Sequence, residues 1–167
     1  MAADIVTEEL DIRESVSLFG FTVPDGLVLL PKNLDTATSR EELVYESSSA
    51  TVRKILVQGG LQVESLESTN GETLRQGFEK SFNWLVPTIF VGADLMTQNP
   101  AAVTIALNMI SAYLTELFRG FPGGRNVKLT VIVERDGRKL SKRIEYTGTA
   151  DGLKDLPLVI ERAAKDD

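Results

Sequence analysis

The most informative absences in the sequence are those of cysteine and histidine, neither of which occurs among its 167 residues. Without cysteine the chain has no disulfides, no thiolate nucleophile and no cysteine ligands for zinc or iron–sulfur clusters. Without histidine it lacks the commonest general base, the Ser-His-Asp triad and imidazole metal ligands. Carboxylates remain chemically able to hold Mg²⁺ or Ca²⁺, but no calcium-loop spacing is present. We therefore predict no catalytic residue, no metal site and no cofactor.

The sequence also shows no signal-peptide pattern. The first residues, MAADIVTEELDIRE, are acidic and have no apolar core region, so the expected location is the cytoplasm. The composition is 43% apolar and 25% charged, which is typical of a soluble globular protein. This length suits a single domain over residues 1–167, with 1–92 and 93–167 as possible sub-units.

Charge is distributed unevenly along the chain. The net charge is −6, yet residues 1–80 carry seven basic and fourteen acidic side chains, a net −7. Residues 119–143 hold eight basic residues against two acidic ones, a local +6. This polarity is the strongest electrostatic feature of the sequence, and it predicts self-association between an acidic N-terminal half and a basic C-terminal surface.

The longest apolar segment is residues 99–119, NPAAVTIALNMISAYLTELFR, and it carries the signals of a helix. Asn99 is a preferred N-cap, Pro100 suits the first helical position, and Gly120 supplies a left-handed residue after the end. About twenty residues form a rod of roughly 30 Å, enough to span a small domain or a bilayer. Three interpretations stay open: a central core helix, a helix partly buried by another subunit, and membrane insertion of residues 82–118.

One stripe of this helix is polar but uncharged, beside a broad apolar stripe that faces the core. Its members are Thr104, Asn108, Ser111 and Thr115. Because the apolar stripe already has the core to face, the polar stripe must look toward the N-terminal half or toward another subunit. We predict that it is an interface.

Shorter elements are predicted on the N-terminal side of the central helix. In chain order they are a short helix or loose arm over the first fourteen residues, strands at 15–23 and 27–30, a short helix at 40–46, a helix at 50–58, a strand at 61–66, an amphipathic helix at 72–85 and a polar loop after Gly92. The turn Pro24-Asp25-Gly26 would join the first two strands as a hairpin. Ser39 and Ser49 are the predicted N-caps. Residues 88–91, TIFV, are too short for periodicity to separate strand from helix.

A β-hairpin is the clearest element after the central helix. Residues 127–135 and 138–146 alternate apolar and polar around Asp136-Gly137, a strong two-residue turn signal. This turn predicts that Leu129 faces Ile144 and that Lys142 faces Val131 on the apolar side, as an inward charge would on an edge strand. The last predicted element is a helix over residues 152–164, which starts near Asp155 because Pro157 tolerates only its first turn.

Basic side chains cluster at the tip and on the second strand of this hairpin. They are Arg135, Arg138, Lys139, Lys142 and Arg143. Three interpretations remain: a solvated, charge-protected edge, a docking surface for an acidic partner or for the chain's own acidic half, and phosphate contacts to nucleic acid. No aromatic residue interleaves the cluster for base stacking, which disfavours nucleic acid.

The order of elements in the last 70 residues resembles a known kind of module. The central helix, the hairpin VKLTVIVERDGRKLSKRIEY and the terminal helix look like small bacterial helix–hairpin–helix accessory domains that accompany signalling or antiviral conflict-system effectors. The resemblance implies an accessory role and assigns no functional residue, since it rests on no invariant motif.

These patterns predict an α+β fold with N-terminal strands and short helices, a long central helix, a C-terminal β-hairpin and a terminal helix. The expected function is that of a non-enzymatic interaction or assembly subunit, in a bacterial multiprotein or homo-oligomeric system. Its expected partner is a protein or a second copy of the chain. Two alternatives are a carboxylate- and Mg²⁺-dependent nucleotide-binding protein or enzyme, and a membrane-acting effector that inserts residues 82–118.

Overall fold

A computed structural model describes residues 4–24, 26–66, 75–77, 84–120, 126–134 and 141–165. The strands in these ranges are β1 Asp4–Leu10, β2 Leu27–Leu30, β3 Val44–Glu46, β4 Val63–Ser65, β5 Arg75–Gly77, β6 Trp84–Leu85, β7 Thr88–Val91, β8 Asn126–Glu134 and β9 Ser141–Thr149. The helices are α1 Ile12–Ser17, α2 Ser49–Gln58, α3 Ala93–Gln98, α4 Ala101–Leu117 and α5 Leu156–Lys165, with 3₁₀ turns at Arg40–Glu42 and Asp151–Asp155. The fold is α+β, as predicted.

The main sheet has the strand order β1-β9-β8-β7-β2-β4 among the described residues, and the short β6 also pairs with β8. It is a mixed sheet: β7 runs parallel to β8 and β2 runs parallel to β4, while the remaining neighbours in this order are antiparallel. The parallel pairs are each joined by helices, α2 in one case and α3 with α4 in the other, as parallel pairing requires. Strands β3 and β5 form a separate parallel pair.

One face of the β8–β9 pair is apolar. Directly paired residues share a face, so Val131 with Ile144 and Leu129 with Tyr146 lie on one side. All four are buried, and α5 contacts β8 and β9. Helix α4 contacts α2, α5 and the Asp151–Asp155 turn, so the central helix is part of a helical layer.

The predicted hairpin exists, but its register is two residues away from the prediction. Leu129 pairs with Tyr146 and Val131 with Ile144, while Lys142 pairs with Val133. The register set by the turn signal is therefore wrong: the observed pairing matches Val131 with the aliphatic Ile144 and places Lys142 opposite Val133. Residues 135–140, which include the predicted turn, lie outside the described residues.

Strand β9 is an interior strand, and the prediction that its charges protect an edge is wrong. It pairs with β8 on one side and with β1 on the other. In the β1–β9 register Glu8 pairs with Arg143 and Glu9 with Lys142. The acidic N-terminal segment and the basic strand therefore lie side by side within one chain.

The predicted strand at 15–23 is also wrong, because α1 occupies its first three residues. Asp11 caps α1 through its side chain, which accepts a hydrogen bond from the Glu14 N–H at 3.1 Å. Ile12 and Val16 are one helical turn apart and both buried, so the helix has a small apolar face. The first residues form β1 instead of a helix or loose arm, and the predicted hairpin with β2 does not form.

Two further predictions in the N-terminal half are wrong in part. The helix expected at 40–46 is a 3₁₀ turn followed by β3, and residues 75–77 and 84–85 of the helix expected at 72–85 are strands β5 and β6. The rest of 72–85 lies outside the described residues. Pairing with β3 and β8 outweighs the local helical pattern. The expected helix at 50–58 and the strand within 61–66 are confirmed, and residues 88–91 are a strand.

The central helix is confirmed as the longest helix of the described chain, with different ends from those predicted. It begins at Ala101, because Asn99 ends the preceding α3 and caps nothing at the start of α4. The segment expected to be a polar loop is therefore partly helical. Gly120 adopts the predicted positive φ, at 93°. Helix α5 begins at Leu156, in agreement with the prediction.

Candidate functional site

Helix α4 places most of the predicted polar stripe at the surface. Thr104, Asn108 and Thr115 are exposed. Ser111 is fully buried, so its inclusion in an exposed interface is wrong. It lies at the border of the stripe, roughly 20° around the helix from Thr104, where neighbouring elements cover it.

The basic residues predicted from the hairpin do not form a described surface patch. Arg135, Arg138 and Lys139 lie outside the described residues. Lys142 and Arg143 are half-buried on β9, and an Arg143 Nη1 lies 3.5 Å from Asp35 Oδ2. The sequence could not reveal this ion pair, because Asp35 is more than a hundred residues away along the chain.

The exposed side of α4 is broader than the polar stripe alone. Its exposed residues over the first fifteen positions are Ala101, Thr104, Ile105, Asn108, Ala112 and Thr115. At 100° per residue these six positions fall within an arc of about 100°. Residues 95–115 contain no charged side chain, whereas the solvent side of a surface helix is normally charged or strongly polar. This arc, which we call the α4 face, is the most unusual surface of the described chain.

Exposed apolar side chains lie on α4 and on the helices that contact it. Ile105 is 45% exposed and Leu117 is 42% exposed on α4. Leu158 on α5 is 65% exposed and Val57 on α2 is 46% exposed. Helices α2 and α5 both contact α4, so these residues add apolar surface to the same helical layer.

A buried ion pair on the opposite side of the sheet was not found from the sequence. Glu134, at the end of β8, is 7% exposed and accepts hydrogen bonds from both Arg13 Nε and Arg13 Nη2, the latter at 3.1 Å. The Ala93 N–H donates to the same carboxylate at 3.0 Å. Arg13 also donates to the Val23 carbonyl at 3.1 Å and lies over the Phe90 ring, 5.6 Å from its centroid.

This arrangement keeps Glu134 ionised. Burial raises the pKa of Glu134, but the hydrogen bonds from Arg13 and Ala93 together with the charge of Arg13 more than offset it, and the pKa lies below its ordinary value. A carboxylate with all of these donors inside the protein is not available as a proton acceptor near neutral pH. We therefore interpret the Arg13–Glu134 pair as a structural connection between α1, α3 and β8.

A cavity of about 310 Å³ lies on the same side of the sheet. Basic and acidic side chains line it in equal number: Lys32, Lys128 and Arg143 against Asp35, Glu46 and Glu145. Two of the cations are in ion pairs there, Lys32 with Glu46 at 3.6 Å and Arg143 with Asp35 at 3.5 Å. The balance of charge leaves no preference for an anion or a cation.

Neither a metal-binding cluster nor a membrane-crossing helix occurs in the described part of the chain. No group of three His, Cys, Asp or Glu side chains in it is placed to hold a metal ion. Of the helices it contains, none has both the length and the apolar character needed to cross a membrane.

Comparison with known proteins adds no relative. No protein-family model, no curated protein and no solved structure matches the chain. The resemblance to bacterial accessory domains of signalling or antiviral systems therefore stays a prediction.

Proposed function

We propose that this protein is a non-enzymatic interaction or assembly subunit that pairs with a second copy of itself through the α4 face. The observation that carries the proposal is an exposed, uncharged helix face about 100° wide on the longest helix of the described chain. A protein that has 25% charged residues and keeps them off one outward helix face leaves that face easy to desolvate, since no ion has to lose water.

The distribution of side chains on the α4 face favours a second copy as the partner. A symmetric dimer brings the same patch of both chains together, so any charge near the axis would lie close to its own copy. The α4 face has none. Ala101, Asn108 and Thr115 are seven residues apart, so all three lie along the seam on which two packed helices stay in contact.

An antiparallel arrangement of the two α4 helices fits this spacing best. If the two-fold axis passes beside Asn108, Ala101 lies opposite Thr115 of the second copy and Thr104 lies opposite Ala112. Ile105, the largest exposed residue of the face, then packs beside the small Ala112 of the other helix. A parallel arrangement would instead place Ile105 against itself. The two Asn108 amides can donate to and accept from each other at the axis.

The expected association is weak and insensitive to salt. A single helix face is smaller than the roughly 800 Å² per partner of a standard interface, so the dimer should dissociate on dilution. Since the face has no charge, raising the salt concentration should not weaken it, whereas an association between acidic and basic surfaces would weaken.

Sedimentation velocity over about 1 µM to 1 mM protein tests the proposal in the wild type and in Asn108→Arg. The arginine places two like charges at the axis, so the variant should remain a monomer with an unchanged circular dichroism spectrum. Thr51→Arg, at an exposed position of α2, is the matched control and should dimerise like the wild type.

Three outcomes would contradict the proposal. They are a wild type that remains monomeric throughout the concentration range, association that Asn108→Arg leaves intact, and association that disappears at high salt. The last result would favour pairing through oppositely charged surfaces.

A further inference from the structure

A second cavity, of about 370 Å³, lies along α2 and differs chemically from the charge-balanced one. Side chains from α2 line one wall, among them Ser49, Arg53, Lys54 and Val57, and Leu29 of β2 lines another. No acidic residue is among the described residues that line it. In a chain with a net charge of −6, a cavity lined by two cations and no described anion is a selective environment for a negatively charged ligand.

Ser49 gives the first specific indication of a ligand. It lines the cavity and is only 6% exposed. Within the described chain its Oγ has no hydrogen-bond partner. A buried hydroxyl without a partner is unfavourable for folding. The Oγ is almost inaccessible as placed, and rotation of the side chain toward the cavity would let it donate to a ligand oxygen.

The start of α2 supplies further donors at the same place. The first intrahelical bond is donated by the Val52 N–H to the Ser48 carbonyl at 3.0 Å, so the amides of Ser49, Ala50 and Thr51 precede the helical pattern. The predicted serine cap does not form: no side chain caps this end, and Ser48 Oγ donates to the Leu85 carbonyl at 2.6 Å instead. An uncapped helix N-terminus with its dipole favours an anion.

Arg53 and Lys54 stand one turn further along the cavity. Both are exposed, which leaves them able to move toward a bound anion. Val57 follows after another turn, and from Ser49 to Val57 the helix rises about 12 Å. Along α2 the cavity therefore has donors and cations at the first two turns and Val57 beyond them, and Leu29 of β2 is a further apolar residue of its lining.

We propose that the cavity along α2 binds a small organic phosphate monoester, with the phosphate at the N-terminus of α2 and the organic group against Val57 and Leu29. Ser49 Oγ and the first amides of α2 donate to the phosphate oxygens, and Arg53 and Lys54 balance their charge. The volume is within the range of small-molecule sites. This site is independent of the α4 face, and either proposal can fail without the other.

Isothermal titration of the full-length protein with phenyl phosphate, inorganic phosphate and phenol, at constant ionic strength, tests both parts of the site. We expect phenyl phosphate to bind about tenfold more tightly than inorganic phosphate, because its ring buries apolar surface. Phenol, which lacks the anion, should bind more weakly than either. If phenyl phosphate and inorganic phosphate show no binding up to about 10 mM, or if phenol binds as tightly as phenyl phosphate, the proposal is wrong.

Substitutions distinguish a specific binding site from nonspecific attraction to positive charge on the surface. Ser49→Ala should lower the affinity for phenyl phosphate about tenfold, while the melting temperature without ligand stays equal or rises because a buried unpartnered hydroxyl is gone. Arg53→Gln should lower the affinity by a similar factor. Arg162→Gln, an exposed arginine on α5, should not change it. An affinity that Ser49→Ala leaves intact, or that Arg162→Gln reduces as much as Arg53→Gln, would overturn the assignment.

Discussion

Replacing Glu134 by glutamine removes the charge at the buried end of β8 while keeping the size of the side chain. The carboxylate that is lost accepts two hydrogen bonds from Arg13 and one from the Ala93 amide. A glutamine oxygen can still accept from the Ala93 N–H. Arg13 would keep its bond to the Val23 carbonyl but lose its counter-ion.

The size of the effect follows from the exposure of the two partners. Breaking a fully buried ion pair costs about 3–5 kcal/mol. The Glu134 side chain is 10% exposed but that of Arg13 is 36% exposed, so water compensates part of the charge left behind. We expect the free energy of unfolding to fall by about 2 kcal/mol at pH 7. With a urea m value of about 2 kcal/mol/M, the unfolding midpoint should drop by about 1 M.

The pH dependence gives a second, independent test. The pKa of Glu134 in the folded protein lies below its ordinary value of 4.5. A lowered pKa stabilises the folded state above the unfolded pKa, and this contribution disappears as the pH falls through the folded pKa. The difference between wild type and Glu134→Gln should therefore be constant from about pH 8 to 5 and shrink below about pH 4.5.

Urea unfolding followed by circular dichroism measures both effects. Glu116→Gln is the matched control, because Glu116 is 67% exposed and pairs at 3.0 Å with Arg119, which is 75% exposed. Its effect should stay below about 0.5 kcal/mol. An unchanged midpoint in Glu134→Gln, or a difference that grows in acid, would refute the interpretation of Glu134 as an ionised structural partner.

Four further substitutions, one of them a control, test the packing around the helical layer. Ser111→Ala should leave the melting temperature equal or higher, because Ser111 Oγ is buried without a partner in the described chain; a clear drop would show that the hydroxyl is hydrogen-bonded. Gly152→Ala should destabilise by about 1–3 kcal/mol in urea unfolding, because the added Cβ would overlap the Tyr146 hydroxyl; a neutral result would mean that the ring moves freely. Ile160→Ala should cost about 2–5 kcal/mol since the residue is fully buried, whereas Leu158→Ala, at a position 65% exposed, should cost less than about 0.5 kcal/mol; equal effects would contradict the assigned faces of α5.

Elements with strong local signals were predictable from the sequence. Helix α4 has a long apolar pattern and ends before a glycine with positive φ, and the hairpin has a clear alternation on both strands. The alternation could not settle the register, because a shift by two residues keeps each side chain on the same face.

Pairings between distant segments were not predictable. Strand β1 pairs with β9, across more than a hundred residues, and the short β6 is a strand because β8 lies beside it. The same reason explains what was missed at the sites. The Arg13–Glu134 pair joins residues that are 121 positions apart, and burial of Ser111 depends on neighbours that helical periodicity does not describe.

Disulfide trapping at single introduced cysteines tests the central claim most directly, because the native chain has no cysteine that could interfere. In the antiparallel dimer residue 108 lies opposite its own copy, so Asn108→Cys should oxidise to a covalent dimer. Ala101→Cys and Thr115→Cys should each remain monomeric alone and cross-link when mixed, and Thr51→Cys on α2 should not cross-link. If Asn108→Cys forms no more covalent dimer than Thr51→Cys does, or if Thr115→Cys links readily to itself, the antiparallel pairing through α4 is contradicted.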